Sequence, residues 1–324
     1  MGPGKRALLL AVVPLVAGWE LLAAERQHRA VPTDSDWRAA AAAAMAAKKP
    51  GDMVIVAPRW AEPLGRKAGF ELTGLASDAA GKPGPLFDLR MAGRSDLETV
   101  PRVLELSIRG KDDPQVKGFR LVSEQAFGTV KLRTFENPRP EKLLRDLVSE
   151  VDATATVSRV APDGASEPCR WEIEGSQHIP NLFAGPVPPK KRWSCSPFDP
   201  GWSWVGETAI TDLDYVPRRC VLMHPTLSNT TIAFPPRPIG QKVVAYVGKH
   251  VYVEREKRLS PVHVRISVAG KEVAHAFHRD GDGWLRFEGS TAAWAGSSQP
   301  VKIELWAEGS PQFRVACVAA ELRE

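Results

Sequence analysis

The chain has 324 residues, 43% of them hydrophobic, with a net charge of +5 and a sequence pI near 9.0. That is enough apolar material for two packed domains, and it excludes a disordered polymer. No Lys/Arg stripe is interleaved with aromatic residues, so a nucleic-acid binder is excluded; the charge licenses only a weak attraction to anionic lipid or acidic polymer.

The chain opens on an apolar run, Ala7 to Ala24, placed directly after Lys5 and Arg6. As a helix rising ~1.5 Å per residue this run is ~27 Å long, close to the ~30 Å hydrocarbon core of a bilayer. Two readings compete. Lys5, Arg6 and Leu8 to Ala17 fit a secretory signal, with partial cleavage sites at Val16-Ala17-Gly18 and Leu22-Ala23-Ala24. The longer and favoured reading is an uncleaved single-pass anchor, in which Pro14 is tolerated and Glu20 sits at the interface. It places residues 7–24 in the inner membrane and the bulk of the chain in the periplasm; cleavage would make the protein secreted. Residues 1–30 are thus set apart as anchor or signal.

Residues 31–150 read as a small three-layer α/β domain. Thr33 and Asp36 have capping-box spacing ahead of the helix-forming run Ala39 to Ala47, which Pro50-Gly51 stops. Met53 to Ala57 is a short continuous apolar run, the pattern of a strand in a parallel sheet. Pro58 ends it, and a short helix is predicted over Trp60 to Ala68. Residues 74–94 read as a long loop. Asp96 to Val100 reads as a helical turn, and Val103 to Ile108 as a second apolar strand. Phe119 to Gln125 and Thr129 to Phe135 form a hairpin turning near Phe127-Gly128. Pro140 to Val151 predicts an amphipathic helix, with Leu143, Leu144, Leu147, Val148 and Val151 on one face.

Residues 151–324 change character. Short β runs recur between turn signals, from Ala153 to Val160 through to Phe313 to Ala319, without helices. Val262 to Val268 alternates strictly between apolar and polar residues, as does Val301 to Trp306; both read as half-buried antiparallel strands. Asp280-Gly281-Asp282-Gly283 is a turn. The predicted domain is an antiparallel β-sandwich of the jelly-roll type. Its four cysteines, Cys169, Cys195, Cys220 and Cys317, allow three pairings, and an exported location lets them oxidise. Cys169 with Cys195 and Cys220 with Cys317 are favoured, the second pair joining the opening and closing strands. No CxxC occurs and the histidines lack ligand spacing along the chain, which argues against zinc.

Candidate site residues fall in two groups. Arg59, Trp60, Glu62 and Arg66 follow the C-terminal end of the first strand, with Asp52 just before it. Open α/β sheets bind ligands at that edge, and Arg offers bidentate donors for phosphate or carboxylate. Seven of the ten Trp fall after residue 170. Of these, Trp202, Trp204, Trp284 and Trp294 are taken as sugar-stacking candidates, with Arg286 or Asn229 supplying hydrogen bonds. Trp294, flanked by Ala and Gly, is the most suggestive. The carboxylate pairs Asp96/Glu98 and Asp112/Asp113 read as surface charge. No catalytic set is assigned: no GxGxxG or Walker A pattern occurs, and Ser228 and Ser260 lack a nucleophile elbow. The DGDG turn resembles part of a calcium loop, so a structural calcium ion is the one cofactor kept open. His275 and His278, three apart in a strand, belong on opposite faces, which disfavours a shared metal.

Two sets of motifs carry a family resemblance. PGDMVIVAPRWAEPLGR, RVLELSIRG and EQAFGTVKLRTFENP resemble the extracytoplasmic soluble region of bacterial GT-C-type (family 39-like) glycosyltransferases. RRCVLMHP, DGDGWLRF and the cysteine-bearing last strand are similar to a galactose-binding-like jelly roll. Such a transferase needs many membrane helices and an acidic residue in its first external loop, which this chain lacks. The resemblance therefore implies an accessory version of the external domains. The expected function is non-catalytic carbohydrate recognition or envelope-glycan assembly, with envelope carbohydrate or a membrane protein as partner. The alternatives are an enzyme on envelope glycans, with Asp52 and Asp96 as candidates, or a structural interaction protein.

Overall fold

The computed structural model describes residues 3–29, 31–73, 95–160, 164–173, 189, 191–195, 204–214, 216–225, 229–256, 261–309 and 314–324, without the side chains of 3–11, 13, 27–29 and 70–73. The loop expected at 74–94, and the candidates Trp202, Ser228 and Ser260, lie outside the described residues. Chain contacts divide into two compact units: Met1–Leu86 with Arg102–Glu136, and Phe87–Pro101 with Asn137–Glu324.

In the first unit, helix α1 (Pro3–Arg29) contains Pro14 and leaves Leu15, Trp19, Leu21 and Leu22 exposed. No helix among the described residues is long and apolar enough to cross a membrane. Helix α2 (Asp34–Ala47) starts at the expected box: Asp36 N donates to Thr33 Oγ1 at 3.2 Å, and Thr33 N donates to Asp36 Oδ2 at 3.1 Å. Its buried face is Trp37, Ala40, Ala41 and Ala44, at the 3.6-residue repeat of one helix stripe.

Strand β1 (Met53–Ala57) pairs in parallel with β2 (Arg102–Ile108), Met53 opposite Val103 and Ala57 opposite Ser107. The expected hairpin is β3 (Arg120–Phe127) and β4 (Val130–Glu136), and β4 also pairs antiparallel with β2. The sheet is mixed, in the order β1-β2-β4-β3. Gly128 turns the hairpin at φ +59°, and a Cβ there would collide with the Asp36 carboxylate, so two constraints select glycine. Helix α2 rests on β2, β3 and β4, while α3 (Glu62–Thr73) contacts α2 and β1.

The second unit is an antiparallel β-sandwich. The helix predicted over Pro140 to Val151 does not form. Leu143–Asp146 is instead strand β5, pairing with β18 (Ala316–Arg323), and turns follow. The Asp146 carboxylate accepts from Val148 N at 3.0 Å and Ser149 Oγ at 3.0 Å, and Leu147 N donates to Ala320 O. The local carboxylate and the neighbouring strand thus satisfy groups that a helix would have bonded internally.

One sheet holds β8 (Arg170–Ile173), β9 (Lys191–Ser194), β10 (Trp204–Thr211), β11 (Pro217–Met223), β13 (Lys242–Gly248), β16 (Leu285–Ser290), β18 and β5. The other runs β15 (Lys271–His278), β14 (Val262–Val268), β17 (Ser298–Ala307), β12 (Thr230–Pro238), β6 (Thr156–Val160), β7 (Ser166–Pro168) in spatial order. Val243, Val247, Leu222 and Val318 of the first sheet share one core with Ile232, Val264, Ile303 and Leu305 of the second. Each such side chain contributes roughly 1.5–3 kcal/mol on burial. Cys169 is bonded to Cys195 and Cys220 to Cys317, the pairing favoured from the sequence.

Candidate functional site

The site begins with alternation. In β14, Val262, Val264 and Ile266 are wholly buried, so His263 and Arg265 take the opposite face. In β17, Val301, Ile303 and Leu305 are buried, and Lys302, Glu304 and Trp306 share the outer face. Register then assembles rows across the sheet. His263 lies opposite both Trp306 and Phe277, and Arg265 opposite both Glu304 and His275.

The rings form a stack. His263 and Trp306 have centroids 4.8 Å apart with planes 5° apart. His275 lies 5.7 Å from Trp306 at 15°, and Phe277 meets His263 edge-on at 4.9 Å. The Arg265 guanidinium is 5.3 Å from the Trp306 ring centre, within cation–π range.

Polar groups border this stack. Glu304 accepts from Arg265 Nε at 2.8 Å, Lys302 Nζ at 3.0 Å and Asn229 Nδ2 at 3.3 Å. Burial pushes the Glu304 carboxyl up, but the bonds from Arg265 and Lys302 outweigh it and hold the group below the usual range. His263 Nε2 is 2.9 Å from Glu308 Oε1, and His263 Nδ1 is 3.1 Å from His275 Nε2. An aromatic surface fringed by fixed donors and acceptors offers what an amphipathic ring ligand requires: apolar contact for its C–H face and directional partners for its hydroxyls.

Sequence reasoning singled out neither Trp306 nor the cross-strand histidines as ligand-binding groups. The signal was present for Trp306: strict alternation places it with Lys302 and Glu304 on the polar side. Of the predicted hydrogen-bonding residues, Asn229 lies at this site. Arg286 is in the other sheet, bound to Glu98 at 3.1 Å.

The predicted stacking residues are placed differently. Trp204 is only 2% exposed and belongs to the sandwich core, so it presents no face to a ligand. Its strand lies within the sheet, and the alternation aims it inward. Trp284 is half-buried and stacked on Tyr246, centroids 6.1 Å apart. Trp294 closes the 3-10 turn Ala292–Trp294 and packs partly on the core.

In the first unit, Trp60 is exposed with the Arg109 guanidinium 5.5 Å from its ring centre. Arg59 donates to Asp113 at 3.0 Å and 3.3 Å, and Arg66 is paired with Glu62 one helical turn away. Asp52 sits at the other end of β1, bound by Arg102 at 3.0 Å. The structure therefore does not gather Asp52 with Arg59, and each of these charges already faces an opposite one. Between them lies a residue that sequence reasoning passed over. Glu105, in the middle of an apolar strand, is fully buried and accepts from Asp113 N at 2.8 Å. Burial pushes its carboxyl up to about 7.

Asp280 ion-pairs with Lys249 and with Arg314 at 2.9 Å, and Asp282 accepts from Arg279 N at 2.7 Å. The DGDG segment is thus the expected turn, and its first carboxylate is engaged by two buried cations. His275 is exposed and His278 fully buried, on opposite faces as the alternation requires. Among the described residues, no group of three or more His, Cys, Asp or Glu could hold a metal ion.

No family model and no curated protein matches the chain. Solved structures give slight likenesses. One is the CBM51-2 and INT domains of Clostridium perfringens ZmpB in complex with GlcNAc, at 12% identity and a TM-score of 0.29, covering 64% of this chain and 41% of that one. Another is the CBM51 of Clostridium perfringens GH95 in complex with methyl-galactose, at 8% identity and 0.26, covering 36% and 80%. A third is the CBM22-1-GH10 modules of Clostridium thermocellum Xyn10B complexed with xylohexaose, at 12% and 0.24, covering 37% and 24%. This chain spans less than half the length of the first. At these scores the likeness carries neither fold nor ligand, both of which rest on the geometry above.

Proposed function

We propose that the second unit is a carbohydrate-recognition module, a β-sandwich of jelly-roll type that binds glycan on the outer face of its six-stranded sheet. The observation that carries this reading is the Trp306–His263–His275 stack, bordered by Arg265, Glu304, Lys302 and Asn229. A pyranose offers a C–H face to such rings and hydroxyls to such a fringe. Trp60 with Arg109, beside Arg59 and Arg66, is a second candidate surface in the first unit, and Trp294 a third.

The exposed apolar side chains of α1 support a proposal that residues 7–24 anchor the chain in the inner membrane, with the sandwich in the periplasm. The disulfides suit that oxidising compartment. A place beside a glycan-assembling membrane protein fits the resemblance of the α/β segment to the external region of such transferases.

The test is titration of the full chain against a panel of envelope glycans, followed by calorimetry or ligand-observed NMR. Affinities as weak as ~1 mM, or ~4 kcal/mol, must be accessible. Saturable binding abolished by Trp306→Ala, with near-UV circular dichroism otherwise intact, would establish both the activity and the face. Binding abolished by Trp60→Ala or Trp294→Ala instead would move the site. Absence of binding across the panel would overturn the reading.

A further inference from the structure

We propose that His263 and His275 form a two-imidazole site for a borderline transition-metal cation, of the Cu2+ or Zn2+ class. The two residues lie on adjacent antiparallel strands, β14 and β15, diagonal to one another: His263 faces Phe277 and His275 faces Arg265. Their nearest ring nitrogens, His263 Nδ1 and His275 Nε2, are 3.1 Å apart and share a hydrogen bond that a metal ion would replace. Two cis nitrogens bound at 2.0–2.1 Å to one ion are themselves about 3 Å apart, so the spacing is that of a chelate.

The second shell is in place as well. His263 Nε2 is 2.9 Å from Glu308 Oε1. With the proton on Nε2, facing that carboxylate, the Nδ1 lone pair is the one a metal would take, which is the carboxylate–histidine–metal arrangement. Trp306 supports both rings from one side, at 4.8 Å and 5.7 Å between centroids, and fixes the His263 plane. His275 is exposed, and a swing of its ring brings both lone pairs onto one ion. Imidazole pairs select copper, nickel and zinc over calcium or magnesium, which demand oxygen ligands. Two protein ligands leave the remaining coordination positions open to water or to an oxygen donor. The site stands on its own geometry, whether or not this face binds sugar.

The test is calorimetric titration of the full chain with CuCl2 and, separately, ZnCl2 at neutral pH, with no glycan present. Copper spectra would be recorded by electron paramagnetic resonance. The expected result is one site per chain with nitrogen hyperfine coupling from two imidazoles. His275→Ala, at an exposed position that the fold tolerates, is expected to abolish it. Glu308→Gln is expected to weaken it by about ten-fold or more through loss of the second shell. Should the His275→Ala protein take up metal as the unaltered chain does, or should neither metal bind more tightly than ~1 mM, the proposal is overturned.

Discussion

Arg323 donates from Nη2 to Asp96 Oδ2 at 2.8 Å, joining residues 227 positions apart in the chain. The guanidinium is 1% exposed and also meets Glu98 at 2.8 Å, Glu141 at 3.0 Å and Glu321 at 2.7 Å. Asp96 and Glu98, a pair the sequence presents as surface charge, are therefore two of the four carboxylates that seat a buried cation near the C-terminus. Removing one partner from such a cluster strands the others, so Arg323→Met is expected to cost about 3–5 kcal/mol in denaturant unfolding. A loss under ~1 kcal/mol would show that solvent replaces the guanidinium. The acid limb follows from the same cluster. Burial pushes the Asp96 carboxyl up, but the Arg323 charge and the bonds from Tyr246 and Arg323 outweigh it, leaving the group below its ordinary 3.8. A depressed carboxyl contributes stability that is present above its unfolded value and lost as pH falls through its folded one. Unfolding is expected to become easier below about pH 4, and Asp96→Asn should shrink that pH dependence.

Glu105 carries the opposite sign. Burial raises its carboxyl to about 7, against an ordinary 4.5. The folded state favours the neutral form, so the group's contribution is full below its unfolded value and is lost as pH rises through about 7. Glu105→Gln keeps an acceptor for Asp113 N and removes the charge. It is expected to stabilise the protein above neutral pH by on the order of 2–3 kcal/mol, and to flatten the thermal midpoint between pH 5 and 8. A midpoint that drops equally at both pH values would show that the carboxylate itself is required.

Trp204 and Trp306 separate a packing role from a surface role. Trp204→Ala leaves a cavity in the sandwich core and is expected to cost about 3–5 kcal/mol. Trp306→Ala removes a half-buried ring and its cation–π contact, and is expected to cost about 1 kcal/mol. Urea unfolding of the two variants side by side measures this. Equal losses would contradict the assignment of Trp306 to the outer face.

The disulfides are expected to rank by loop length. The Cys220–Cys317 bond spans 97 residues and the Cys169–Cys195 bond 26. On the chain-entropy model these contribute about 4.7 and about 3.5 kcal/mol. Paired Cys→Ser replacement of each, compared by calorimetry, tests the order; a larger loss from the shorter loop would show that local geometry dominates.

Much of the architecture was legible because its cause is local. The Thr33–Asp36 box starts a helix through groups three residues apart. Gly128 marks its hairpin, and the periods of Val262 to Val268 and Val301 to Trp306 announce half-buried strands. The helix predicted over Pro140 to Val151 shows where local pattern fails. Leu143, Leu144, Leu147, Val148 and Val151 repeat at helical spacing, yet β18 offers this segment ladder partners at Asp146 and Arg145. A strand edge some 175 residues away does not register in a local period.

The site divides along the same line. The sequence by itself determined which residues alternate, that four cysteines allow three pairings, and that Trp306 shares a face with Lys302 and Glu304, because these follow from backbone periodicity and covalent chemistry. Only the tertiary structure decided that His263, His275 and Trp306 lie together, that Trp204 is core, and that Arg59, 54 residues from Asp113, is held by it. Those outcomes depend on strand order and register, which are set by the burial of whole faces rather than by any neighbouring residue.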